Sequence, residues 1–210
     1  MKDGGLGRKG LRLALASYMS ARQDGIDFGS ANRWVVVDLR DPIAFFRHLS
    51  LLIPPDSILC FEGCAVASET GELYRGYAAE NPARVTPDII WPKPQSFHTV
   101  VLSDFLDRLG AQLEQRAASE CFDHLKAYRG KSLLFHFHDA FDCSPLLVAD
   151  SVAESSLSAF AAALHASYHS ESRVKASEGD LTRVLAALEN APQLRANASW
   201  WRKLLSFWKR

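Results

Sequence analysis

The chain has 210 residues, 48% of them hydrophobic and 23% charged, with 24 basic side chains balanced by 24 acidic ones. This composition excludes a disordered chain, a collagen-like repeat and a membrane bundle, and a chain of this length buries roughly 70% of its unfolded surface, enough for a core without disulfides or a structural metal. The neutral total hides an asymmetry: Arg195, Arg202, Lys203, Lys209 and Arg210 meet no acid, and Lys2, Arg8, Lys9, Arg12 and Arg22 face Asp3 alone. The body between the two ends is acidic, so no nucleic-acid partner is expected.

In chain order, residues 1–32 are expected to form a flexible leader, with Met19 opening its polar second half. Residues 34–39 (WVVVDL) form a continuous β-branched run, the pattern of a strand covered on both faces. Asp41 then Pro42 reads as an N-cap and first helical position, and residues 43–53 predict a buried helix stopped by Pro54 and Pro55. Residues 57–62 (SILCFE) predict a second strand, and strand, helix and strand together predict a right-handed crossover with the two strands parallel. Residues 63–80 are ambiguous between a helix and a hairpin. Pro82, Pro87, Pro92 and Pro94 then mark an extended surface connection around Ile89, Ile90 and Trp91, long enough to be a lid or binding segment.

Residues 96–102 predict a strand, and Ser103 a cap for a helix with Phe105, Leu106, Leu109 and Leu113 on one face. Further helical turns are expected around residues 121–128, ending at Gly130. Residues 131–138 (KSLLFHFH) alternate cleanly and predict a strand, from which residues 145–150 return antiparallel as a hairpin. Ser151 to Glu154 fits a capping box ahead of the stripe Leu157, Phe160, Ala161 and Leu164. The expected fold is therefore α/β, a mixed, mostly parallel sheet of about five strands with flanking helices. The domain should span residues 33–168, a polar linker 169–180, and a helical appendage 181–210.

Cys60, Cys64, Cys121 and Cys143 contain no second close pair to complete a zinc knuckle and read as reduced thiols. Neither a secretory signal nor a run of membrane-spanning length is present, so a cytoplasmic location is expected. Arginine outnumbers lysine 16 to 8, the usage of a GC-rich bacterial genome.

Two features carry functional readings. The C-terminal segment places Trp200, Trp201, Leu204, Leu205 and Trp208 on one helical stripe, with Arg202 and Lys203 on the other side. Three indoles flanked by cations suit docking on a protein partner, on a second copy of the chain, or as a peripheral contact on an anionic membrane surface. The plainer alternative is a helix packed back on its own domain. This docking role leads the functional readings and needs no cofactor.

The rival is a small metal-dependent hydrolase. His136 and His138 at i and i+2 on a strand project from one face, and Asp139 follows directly, so a divalent metal such as zinc could take two imidazoles with Asp139, Asp38 or Glu62 as third ligand or general base. Asp38, Glu62 and His138 each end an inferred strand, and share an edge if those strands run the same way. The plainer alternative is a half-polar edge strand with Asp139 opening a turn. No phosphate loop and no nucleophile elbow occurs, and a cysteine nucleophile would need a histidine brought beside it by the fold.

Overall fold

A computed structural model describes residues 25–89 and 94–172. Asp41 caps α1 (Pro42–Arg47) as expected, its Oδ1 accepting the backbone N–H groups of Ile43 and Ala44 at 2.9 Å. The helix passes into a 3₁₀ turn (Leu49–Leu51) before the Pro54–Pro55 stop. β1 (Asn32–Val37) and β2 (Ile58–Gly63) flank this segment. The ambiguous stretch resolves as α2 (Ser68–Gly76), followed by β3 (Gln95–Val100) and α3 (Ser103–Leu113). A 3₁₀ turn (Ala118–Glu120) then precedes β4 (His124–Arg129), β5 (Ser132–Phe137) and β6 (Leu146–Ala149), and α4 (Glu154–Ala163) and β7 (Ser167–Ser172) end the described chain.

The sheet corrects the expected fold. It has seven strands in the order β3-β2-β4-β5-β6-β1-β7, and every neighbouring pair is antiparallel. β1 and β2 do run in the same direction, but β6, β5 and β4 lie between them, so the crossover never makes a parallel pair. The edges of β1 are filled by two distant segments, β6 and β7, and residues 169–172, read from composition as linker, extend β7. Buried Arg33 donates to Glu171 across that last pair at 2.8 Å.

Local corrections share one cause, side chains read by type without their tertiary partners. Residues 124–129 form β4 rather than helical turns, and Gly130, at φ +58°, turns the β4–β5 hairpin, a left-handed conformation that glycine adopts without a Cβ penalty. Ser103 is the first residue of α3, not its cap, and Ala153 precedes α4 with no side-chain cap bond.

The strands place unlike side chains on the two faces. Phe61, Leu125, Phe135, Phe137 and Val148 point toward the helices and are fully buried. Phe45 of α1 meets Phe46, Phe135, Phe137, Phe141 and Phe160 at ring distances of 5.3–6.0 Å, and Tyr74 of α2 stacks on Phe61 at 4.4 Å. Truncating such a ring to alanine costs about 3–5 kcal/mol. Among the described residues the opposite face carries a small apolar cluster of Ile26, Cys60, Tyr128 and Leu133, flanked by residues that include Ala83 and Val85. Across β2, β4 and the end of β5 the face is polar, with Glu62, His124, Lys126 and His136, and residues 79–89 are strapped over that part, while Leu147 of β6 and Val35 of β1 present apolar side chains on the same face. Among the described residues no helix is long and apolar enough to cross a membrane.

Candidate metal centre and polar sheet face

Antiparallel register lines up the polar face in rows. One row runs Glu62 (β2), His124 (β4) and then His138, the residue after β5, because Glu62 pairs with His124 and Leu125 with Phe137. The next runs His98 (β3), Cys60 (β2), Lys126 (β4) and His136 (β5). Alternation explains the composition: the intervening residues, Phe61, Leu125 and Phe137, all serve the helix-side core.

In the first row the rings of His124 and His138 stack with centroids 4.3 Å apart. Asp139 adds its carboxylate, Oδ1 at 3.4 Å from His124 Nδ1 and Oδ2 at 3.0 Å from His138 Nδ1. The three side chains can offer one ligand atom each to a shared cation. The two carboxylate–imidazole distances, each to a different Asp139 oxygen, bracket the ~3.3 Å that separates ligands around a tetrahedral zinc with bonds of about 2.0–2.1 Å. Burial, reinforced by neighbouring His138, lowers the His124 pKa from its ordinary value, so the imidazole is held in the neutral form a metal takes. The backbone N–H of Asp139 donates to His124 Nδ1 at 2.8 Å, and a cation at that nitrogen has to displace this bond. Asp139, Phe141 and Cys143 all have positive φ (44°, 67° and 58°), so the turn carrying the Asp139 carboxylate is held in a conformation L-residues seldom adopt. Beside it opens a cleft of about 390 Å³ lined by residues that include Asp123, Asp139, Phe141 and Asp142.

The second row is tied to the strap. Asp88 Oδ2 accepts from His136 Nε2 at 2.7 Å and from Lys126 Nζ at 3.0 Å, and Lys126 also donates to the Thr86 carbonyl at 3.0 Å. Burial alone would raise the Asp88 pKa, but the hydrogen bond and charge of His136, together with Lys126, outweigh it and hold the carboxyl well below the usual carboxylate range. Glu62, 3% exposed, spends both oxygens on the strap, accepting from Asp88 N at 2.8 Å and Ile89 N at 2.6 Å.

A thiol, an imidazole and a phenol also meet here. Cys60 Sγ lies 3.8 Å from His98 Nε2, and His98 Nδ1 lies 2.9 Å from the Tyr128 hydroxyl, which accepts from Ala83 N at 3.2 Å. The layout is that of nucleophile, base and orienting group, but the charges oppose it. Burial pushes the Cys60 thiol up to about 11 and, with Lys126, lowers His98, so both halves of a thiolate–imidazolium pair are disfavoured. The chain of contacts is neutral and anchors the strap.

Of the residues singled out from sequence, His138 and Asp139 meet in the candidate centre, while His136, on the same face, turns to Asp88. β1, β2 and β5 run in one direction, so Asp38, Glu62 and His138 leave the sheet at the same edge. Asp38, at φ 67° after β1, is nevertheless separated from β5 by β6, and Glu62 is committed to backbone N–H groups. His124, Asp88, Lys126 and His98 were missed. Only the alternation His124, Lys126, Tyr128 against Leu125, Ala127 signalled the strand that brings two of them in. Trp200, Trp201, Arg202, Lys203, Leu204, Leu205 and Trp208 lie outside the described residues, as do Ile90 and Trp91. No protein-family model, no curated protein and no solved structure matches the chain.

Proposed function

We propose that this protein is a small metal-dependent hydrolase with a divalent cation of the zinc class held by His124, His138 and Asp139. The observation that carries the reading is the convergence of His124, at the start of β4, with the consecutive His138 and Asp139 after β5, the carboxylate oxygens lying 3.0–3.4 Å from the two imidazole nitrogens. Three protein ligands with an open fourth position characterise catalytic rather than structural zinc, and here His138 and Asp139 remain about half exposed beside a cleft (52% and 50%). The cation would supply a bound hydroxide near neutral pH and polarise a carbonyl or phosphoryl oxygen. His124, buried and neutral, would fix its position. Glu62 is not the general base of this site, since both its oxygens hold the strap. The docking role of residues 199–210 is compatible with this activity but rests on their composition alone.

The experiment is metal analysis of protein purified without a histidine tag, repeated for His124→Ala, His138→Ala and Asp139→Asn, with turnover of nitrophenyl acetate and nitrophenyl phosphate measured before and after chelation. The expected result is one equivalent of metal, lost in each variant, and a hydrolytic rate that falls on chelation and returns with zinc. Metal content that His124→Ala and His138→Ala leave unchanged, or wild-type protein that retains no metal, would overturn the proposal.

A further inference from the structure

Lys126 has a side chain only 5% exposed in the middle of a sheet, and its ammonium meets a carboxylate from a loop. Isolated buried ammonium groups are costly, so the position demands an anion. In this structure the anion is Asp88, delivered by the strap, and it lies in a fork of two donors, Lys126 Nζ at 3.0 Å and His136 Nε2 at 2.7 Å. Both donors stand on neighbouring strands in paired register, so the fork belongs to the rigid sheet, whereas its occupant belongs to the connection over it. The Thr86–Ile89 end of that connection is tied down by side chains, through Glu62 and Lys126, and not by a strand ladder.

We propose that Lys126 and His136 form an oxyanion-binding site that Asp88 fills from within, and that a small-molecule ligand bearing a carboxylate or phosphate group takes when the strap lifts. An incoming oxyanion restores the charge balance that Asp88 provides, with the same acceptor geometry at the same two donors. The T-shaped contact of His136 with His138, 6.2 Å between ring centroids, sets this fork beside the candidate metal centre. The site needs no metal, so it is tested in chelated protein, and either proposal can fail without the other.

The linkage is competitive. If Asp88 occupies the fork nine-tenths of the time, the apparent affinity for an external anion is reduced about tenfold, and deleting the carboxylate returns that factor. Chelated wild type, Asp88→Ala and Asp88→Asn are titrated with inorganic phosphate and with acetate, following the amide shifts of residues 126 and 136 by NMR. Asp88→Ala is expected to bind one of the anions about tenfold or more tightly than wild type. Adding Lys126→Met should abolish that gain and Lys126→Arg should keep it. Tighter acetate binding identifies a carboxylate ligand, and tighter phosphate binding a phosphate one. The proposal is overturned if folded Asp88→Ala and Asp88→Asn gain nothing for either anion, or if Lys126→Met leaves the gain intact.

Discussion

Glu62→Gln isolates what holds the strap to the sheet. Both carboxylate oxygens accept backbone N–H groups, from Asp88 at 2.8 Å and Ile89 at 2.6 Å, in a position 3% exposed. Glutamine keeps the shape and one acceptor but turns an NH2 group toward the second N–H, so one charge-assisted hydrogen bond is lost and two donors oppose each other. A hydrogen bond to a charged group contributes about 1.5–3 kcal/mol. Peeling of the strap limits the further cost of an unpaired N–H, because water can then reach it. The expected loss is about 1.5–3 kcal/mol, and at ~2–4 °C per kcal/mol for a chain of this size the Tm falls by about 3–12 °C. Urea titrations give the global change, and hydrogen exchange at the Asp88 and Ile89 amides gives the local one. An unchanged urea midpoint together with unchanged protection of those two amides would refute the assignment of Glu62 as the strap's anchor.

Two further outcomes follow from the charged face. Burial lowers His98, with help from Lys126, and lowers His124, with help from His138. A group whose pKa is lower folded than unfolded binds its proton on unfolding, so in chelated protein stability should begin to fall as the pH drops below about 6.5. Asp88 is depressed from the carboxylate range, so its contribution is lost only below about pH 4, giving a second acid step. His98→Gln should flatten the first step in a plot of urea midpoint against pH and leave the second, and a midpoint constant between pH 5 and 7 in wild type would contradict this. For the thiols, iodoacetamide should label exposed Cys143 in the native protein, with Cys60 reacting only on unfolding because burial pushes it up to about 11. Native labelling of Cys60 at the Cys143 rate would show that its pair with His98 is activated after all.

Much of the local structure is legible in single segments. Period-two alternation marks β5, the β-branched run marks β1, and Asp41-Pro42 marks the start of α1. β4 is not legible, because His124–Arg129 mixes Leu, Lys and Ala, good helix formers, with an alternation only three residues long on its polar side. Neighbour order is less legible still. The crossover rule fixes the direction of β2 relative to β1 but not its adjacency, and β6 and β7, distant in sequence, compete successfully for both edges of β1. The site follows the same division. His138 and Asp139 are consecutive and were visible, whereas His124 joins them only through the β4–β5 register, and Asp88 reaches His136 across 48 positions of chain.

The asymmetry of the two faces bears on where function resides. An antiparallel sheet with its helices on one side can leave the other face to water, and nothing in that architecture requires ionisable groups to be buried there. Yet Glu62 and Lys126 are 3% and 4% exposed on this face. Replacing a buried ion pair by apolar residues of similar volume is often neutral or stabilising by about 1–4 kcal/mol, so packing alone does not favour this arrangement. The apolar alternative is present within the same sheet: Ile26, Tyr128 and Leu133 form a small cluster just beyond Lys126 with Ala83 and Val85 of the strap against it. That cluster could have been continued toward Glu62 and His124 by the same period-two alternation. The chain instead places four histidines, a lysine, a glutamate and a cysteine along two adjacent rows and covers the second with a loop carboxylate. The helix-side aromatic core supplies the stability against which this polar face is maintained, and the chemistry that compensates for it is to be sought at Lys126, His124 and His138.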